Sequence, residues 1–185
     1  MRKIDLIVIH CSATREDKTL TPDDLDSQHR RRGFNGTGYH YYIRKDGTVH
    51  LTRPIERIGA HVKGFNACSI GICYEGGLDY RGHPSDTRTP EQRAMLRLLV
   101  KQLMEKFPGS RVCGHRDLSP DRNGNGEIEP EEWIKACPCF EVKEEFSGKK
   151  NLQAKSKLQE KNKSQVKKDF PSKKGFLKNK NYRPG

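Results

Sequence analysis

At 185 residues the chain has room for one domain with its own core plus an extension, and not for two full domains. Its net charge of +12 sits at one end: residues 147–185 carry thirteen Lys and Arg against Glu160 and Asp169, a net +11, while residues 1–146 balance 23 basic against 22 acidic side chains. Near-neutrality argues against a polyanion-binding folded part, and no run approaches the ~20 apolar residues of a membrane-spanning helix.

Residues 1–10 (MRKIDLIVIH) lack the apolar length and small-residue cleavage pattern of a signal peptide, so synthesis in a reducing cytoplasm is expected. Cys11, Cys68, Cys73, Cys113, Cys137 and Cys139 are then mostly free thiols. Residues 4–9 form a nearly continuous, branched apolar run, the pattern of a strand buried on both faces, and the run ends in His10. Thr21-Pro22-Asp23-Asp24 supplies a hydroxyl cap, a first-turn proline and acids suited to a helix dipole, predicting a helix to about Arg32. Residues 39–44 and 48–53 flank Lys45-Asp46-Gly47, a hairpin signal, and residues 69–75 (SIGICYE) read as a further strand.

Thr89-Pro90-Glu91-Gln92 predicts a second helix opened by a capping box, with Met95, Leu98, Leu99, Leu103 and Phe107 as its buried stripe. Residues 111–114 form a short strand that delivers His115 as the first strand delivers His10, and residues 131–136 are expected to form a short helix before Cys137. Strands alternating with helices predict a single α/β domain over residues 1–146, a mixed central β-sheet flanked by helices. Residues 147–185 hold few apolar side chains and repeated lysines, so they are expected to stay disordered.

Catalytic zinc takes three ligands from His, Cys or carboxylate and keeps a fourth position open. His10, His115 and Cys137 meet that need if the strand ends converge, but gaps of 105 and 22 residues make no compact metal motif. Spacing alone does not select them.

Residues 7–14 (IVIHCSAT), 38–48 (GYHYYIRKDGT), 59–66 (GAHVKGFN), 69–73 (SIGIC) and 135–138 (KACP) resemble, in order, the type-2 N-acetylmuramoyl-L-alanine amidases, the family of phage amidase lysozymes and peptidoglycan recognition proteins. The resemblance covers about residues 3–142. It implies a zinc amidase that cuts between the lactyl group of N-acetylmuramic acid and the L-alanine of the stem peptide, with His10, His115 and Cys137 as ligands. It also implies catalytic roles for Tyr39 and Lys135. Lys135 would stabilise the oxyanion; Tyr39 would orient or deprotonate water, or donate to the tetrahedral intermediate. His61 and Asn66 fall at positions that face substrate in the family, with a structural loop role as the alternative. Recognition proteins that only bind peptidoglycan usually lack the cysteine, so the enzyme reading leads, and a non-catalytic binding module on the same fold is the alternative.

Residues 121–132 (DRNGNGEIEPEE) satisfy an EF-hand loop pattern, with Asp121, Asn123, Asn125 and Glu132 as side-chain donors, the Glu127 carbonyl as another, and Gly126 at the turn. Two readings stand: a calcium loop, or an Asn-Gly turn leading into an acidic helix start. The basic segment is expected to bind polyanions, envelope polymers ahead of nucleic acid. A monomeric lysin of phage or mobile-element type, acting on the wall after release, fits these features together.

Overall fold

The computed structural model describes residues 2–146; the basic segment 147–185, with its expected disorder, lies outside the described residues. Thirteen short elements are present there. Strand β1 (Leu6–Cys11) is followed by β2 (Thr14–Arg15), helix α1 (Pro22–Arg31), β3 (Tyr41–Ile43) and β4 (Val49–Leu51). A 3-10 turn at Asn66–Cys68 leads into β5 (Ser69–Tyr74), then β6 (Gly77–Leu78), helix α2 (Pro90–Lys106) and β7 (Arg111–Gly114). Two more 3-10 turns, Arg116–Leu118 and Pro130–Glu132, precede the short helix α3 (Val142–Phe146).

The main sheet has the order β4-β3-β5-β1-β7. Strand β1 lies between β5 and β7 and is parallel to both, β3 is parallel to β5, and only the β3–β4 hairpin is antiparallel. This is the mixed α/β sheet expected from the sequence. Strand β1 is buried along its whole length, as its unbroken apolar run requires. Successive side chains alternate faces. Ile7, Ile9 and Cys11 join Ile70, Ile72, Tyr74 and the α2 residues Leu96, Leu99, Val100 and Leu103 in one core. Leu6 and Val8 join Val62 and Cys113 in a second cluster, and Leu25 of α1 packs with Leu20, Tyr42 and Cys73 in a third.

Both helices open as the sequence indicates. Thr21 and Thr89 accept the N–H groups of Asp24 and Gln92, whose side chains accept the cap N–H groups in return. The stripe on α2 differs from expectation. Leu98 is 46% exposed, and the buried phase runs through Gln92, Leu96, Leu99, Val100 and Leu103. The reason is a polar anchor: Gln92 Nε2 donates to the carbonyls of Ile43 and Glu75, which sets the rotation of the helix.

The expected helix over residues 131–136 is not formed. Glu132 accepts the backbone N–H groups of Arg122, Asn123 and Glu129, and the chain turns extended at Trp133. Pro138 further disfavours a helical conformation at Cys137. Among the described residues no helix is long and apolar enough to cross a membrane.

Candidate metal centre

The carboxyl ends of parallel strands form a natural crevice for ligands. His10 stands near the end of β1, in register with Cys73 of β5, on the sheet face opposite α2. His115 follows β7 directly, and its N–H donates to the Ile9 carbonyl at 3.1 Å, extending the β1–β7 ladder by one bond. The two strand ends therefore bring histidines 105 positions apart into ring contact, with Nδ1 atoms 3.2 Å apart and centroids 4.8 Å apart.

Cys137 arrives from a loop. The N–H of Arg116 donates to the Cys137 carbonyl at 2.9 Å, and the Tyr74 hydroxyl donates to the Pro138 carbonyl at 2.6 Å. The buried Arg116 side chain reaches on to the Phe140 carbonyl at 3.0 Å, pairs with Glu141, and lies 4.0 Å from the centre of the Trp133 ring. Gly114 makes room for this segment, since a Cβ there would stand 2.6 Å from Pro138 Cδ.

Cys137 Sγ lies 3.9 Å from His10 Nδ1, and one ligand atom from each of His10, His115 and Cys137 falls within 4.8 Å of the others. It is the one such His/Cys/carboxylate group among the described residues. A tetrahedral ion with zinc–nitrogen bonds of ~2.0–2.1 Å and a zinc–sulfur bond of ~2.3 Å needs nitrogens about 3.3 Å apart and nitrogen–sulfur edges slightly longer, and the 3.2 Å and 3.9 Å separations made by His10 lie near those values.

Electrostatics prepare the same role. Burial, helped by neighbouring His61, His115 and Lys135, pushes His10 well below the ordinary histidine range. Burial and then the Lys135 charge lower His115 to about 4, so both imidazoles are neutral near pH 7, the state in which they ligate. The exposed Lys135 is therefore close enough to act on both histidines.

Tyr39 packs on the site, its ring 5.1 Å from that of His10 and 5.4 Å from that of His29. Burial, and then the neighbouring Cys73, raise its pKa well above the usual value, so it keeps its proton. His29 had no chemistry assigned from sequence. It is buried one helical turn after Leu25, and its Nδ1 accepts the N–H of Gly38, the residue before Tyr39. The i, i+4 apolar phase of α1 is the signal that could have drawn attention to it.

His61 is buried with both ring nitrogens partnered: Nδ1 lies 3.0 Å from His10 Nε2 and Nε2 3.3 Å from Ser69 Oγ. Burial pushes it down to about 3. Asn66 Oδ1 accepts the N–H groups of His61 and Val62, closing their loop. Cys139 stands apart from the ligand set, its thiol donating to the Gly77 carbonyl at 3.3 Å and lying 3.9 Å from Cys11 Sγ.

The donors of the 121–132 loop turn inward. Asp121 accepts from Gly124 and Gly126, Asn123 from Asn125, Asn125 from Glu127, and the two Glu132 oxygens take three N–H groups between them. The expected calcium ion finds no support: among the described residues, the one group of three His, Cys, Asp or Glu side chains placed to share an ion is His10, His115 and Cys137. The turn reading is met only in part: Gly124 and Gly126 take positive φ, but the expected helix start reaches no further than the 3-10 turn Pro130–Glu132.

The comparisons with known proteins agree with this architecture. A family model described as N-acetylmuramoyl-L-alanine amidase matches residues 1–131. The endolysin of Klebsiella phage KP32 is 36% identical over 137 residues, 74% of this chain and 82% of the phage protein. The endolysin of Escherichia phage T7 is 34% identical over 139 residues, 75% of this chain and 83% of its own length. Among solved structures, the N-acetylmuramoyl-L-alanine amidase LysC from Clostridium intestinale superposes with a TM-score of 0.61 at 30% identity, covering 80% of this chain and 85% of that one. Drosophila PGRP-LB, at 23% identity and a TM-score of 0.58 over 80% of this chain and 81% of its own, shares the fold. By the extent of these matches, the chain belongs to the type-2 N-acetylmuramoyl-L-alanine amidase family.

Proposed function

We propose that the protein is a zinc-dependent peptidoglycan amidase that hydrolyses the lactyl–L-alanine amide, an endolysin in type. The observation that carries this reading is the meeting of His10, His115 and Cys137 at separations that suit tetrahedral zinc. When bound, zinc supplies a Lewis acid for the scissile carbonyl and lowers the pKa of water to ~7.

The chain's own residues do the rest. His10 and His115 are held neutral for ligation. The Lys135 ammonium, exposed beside them, is free to swing onto the carbonyl oxygen as negative charge develops there. Tyr39 keeps its proton, which favours hydrogen-bond donation to the tetrahedral intermediate over service as a base. His29 holds the backbone before Tyr39 and flanks its ring.

Purified sacculi provide the test. Release of stem peptides with a new free L-alanine amine, lost on chelation and in Cys137→Ala, is expected. Tight binding to sacculi without peptide release at saturating zinc would instead support a binding module.

A further inference from the structure

Behind His10 the polar contacts continue inward. His10 Nε2 lies 3.0 Å from His61 Nδ1, and His61 Nε2 lies 3.3 Å from Ser69 Oγ. None of the three is open to solvent: His10 and Ser69 are fully buried and His61 is 9% exposed.

The His61 ring occupies a slot cut by two glycines. A Cβ at Gly71 would stand 2.7 Å from its Cγ and Cδ2, and one at Gly59 2.5 Å from its Cδ2. The edge of His40 closes another side, with ring centroids 5.7 Å apart, and Asn66 fixes the His61 backbone N–H at 2.9 Å. Gly71 sits between Ile70 and Ile72 inside a buried strand, where glycine ordinarily weakens the sheet. Room for the imidazole accounts for its presence.

A neutral imidazole offers one donor and one acceptor. His10 directs Nδ1 toward His115 and Cys137, and a nitrogen that binds metal carries no proton. The His10 proton must then sit on Nε2 and be donated to His61 Nδ1, which leaves the His61 proton on Nε2 for Ser69 Oγ. From this chain we infer that His61 is a positioning residue: it locks His10 in the tautomer and ring orientation that present Nδ1 to the metal, and it does not touch substrate. The inference rests on the zinc reading above. It gives His61 a role different from the substrate-facing one implied by resemblance.

The test uses the full chain and two readouts, zinc affinity by competition with a chelating indicator and the protonation of each imidazole nitrogen by ¹⁵N NMR of the zinc-loaded protein. His61→Phe, which fills the slot without an acceptor, and Gly71→Ala, which crowds the ring, should each weaken zinc binding by about 10–100-fold. His61→Gln should recover most of that loss, because its amide can accept from His10 and donate to Ser69. In the wild type, His10 should be protonated on Nε2. Wild-type affinity in a folded His61→Phe, or a zinc-loaded His10 protonated on Nδ1, overturns the proposal. If His61→Phe does not fold, Gly71→Ala and the wild-type spectrum decide. A wild type that binds no zinc sinks the zinc reading itself, an outcome distinct from equal binding by wild type and variant.

Discussion

The backbone N–H of Cys11 donates to Cys137 Sγ across 3.3 Å, tying the residue after one histidine of the metal centre to a thiol 126 positions later. The bond is aimed at Cys137 rather than Cys139, and it holds that sulfur beside the two histidines. Cys137→Ala should lose stoichiometric zinc and all amidase activity while keeping its circular dichroism. Cys139→Ser should keep its zinc and lose no more than ~1.5 kcal/mol of stability, the worth of one modest hydrogen bond. Zinc retained by the first variant and lost by the second would reverse the assignment.

Tyr39→Phe keeps the ring that packs against His10 and His29 and removes only the hydroxyl. A proton donor to the reacting group contributes about 10²–10⁴-fold. The expected result is a fall in kcat of that order at unchanged zinc content. An unchanged kcat would leave Tyr39 a packing residue.

Lys135 is solvent-exposed, so its replacement should cost little stability. Lys135→Met should lower kcat/KM by about 10²–10³-fold if its ammonium stabilises the oxyanion, with zinc retained and Lys135→Arg partly active. Loss of metal in this variant would point to a structural role at the ligand loop.

Stability of the metal-free protein should depend on pH through its buried histidines. Burial lowers His10 well below the normal range, His40 and His115 to about 4, and His61 to about 3. Below pH ~6.5 the unfolded chain takes up protons that the folded chain refuses, so stability falls as pH drops from ~6.5 toward ~4. Each such group contributes a slope of up to ~1.4 kcal/mol per pH unit. Thermal melts across this window test it, and a flat Tm would contradict neutral burial of these side chains.

What could be read from sequence was local. The apolar run of β1, the threonine caps and the Asp-Gly hairpin each follow from neighbours within a few positions, as does the strand formed by SIGICY. The buried face of α2 was misread because Gln92 looks polar, yet it is anchored to Ile43 and Glu75 on two other strand ends. Residues 131–136 were misread because Glu132, a good helix former, spends its carboxylate on the amides of Arg122 and Asn123 ten and nine positions away. The ligand set was invisible to spacing, since it depends on parallel pairing of β1 with β7 and on the reach of Arg116 to Phe140. His61 shows the same limit. Its glycine slot is assembled from two segments that are separate in the chain.

The loop that leaves His115 and returns at Cys137 is fastened at its base. Arg116 N–H bonds the Cys137 carbonyl, and the Ser119 hydroxyl accepts the Ile134 N–H at 3.1 Å. Everything between those two bonds is an excursion whose far end closes on its own side chains. The tip of the excursion, residues 121–131, should therefore be exchangeable as a cassette, provided that Trp133, which packs on Arg116, is kept. A foreign peptide, a wall-targeting sequence or a reporter helix grafted there would ride on the amidase without disturbing its chemistry.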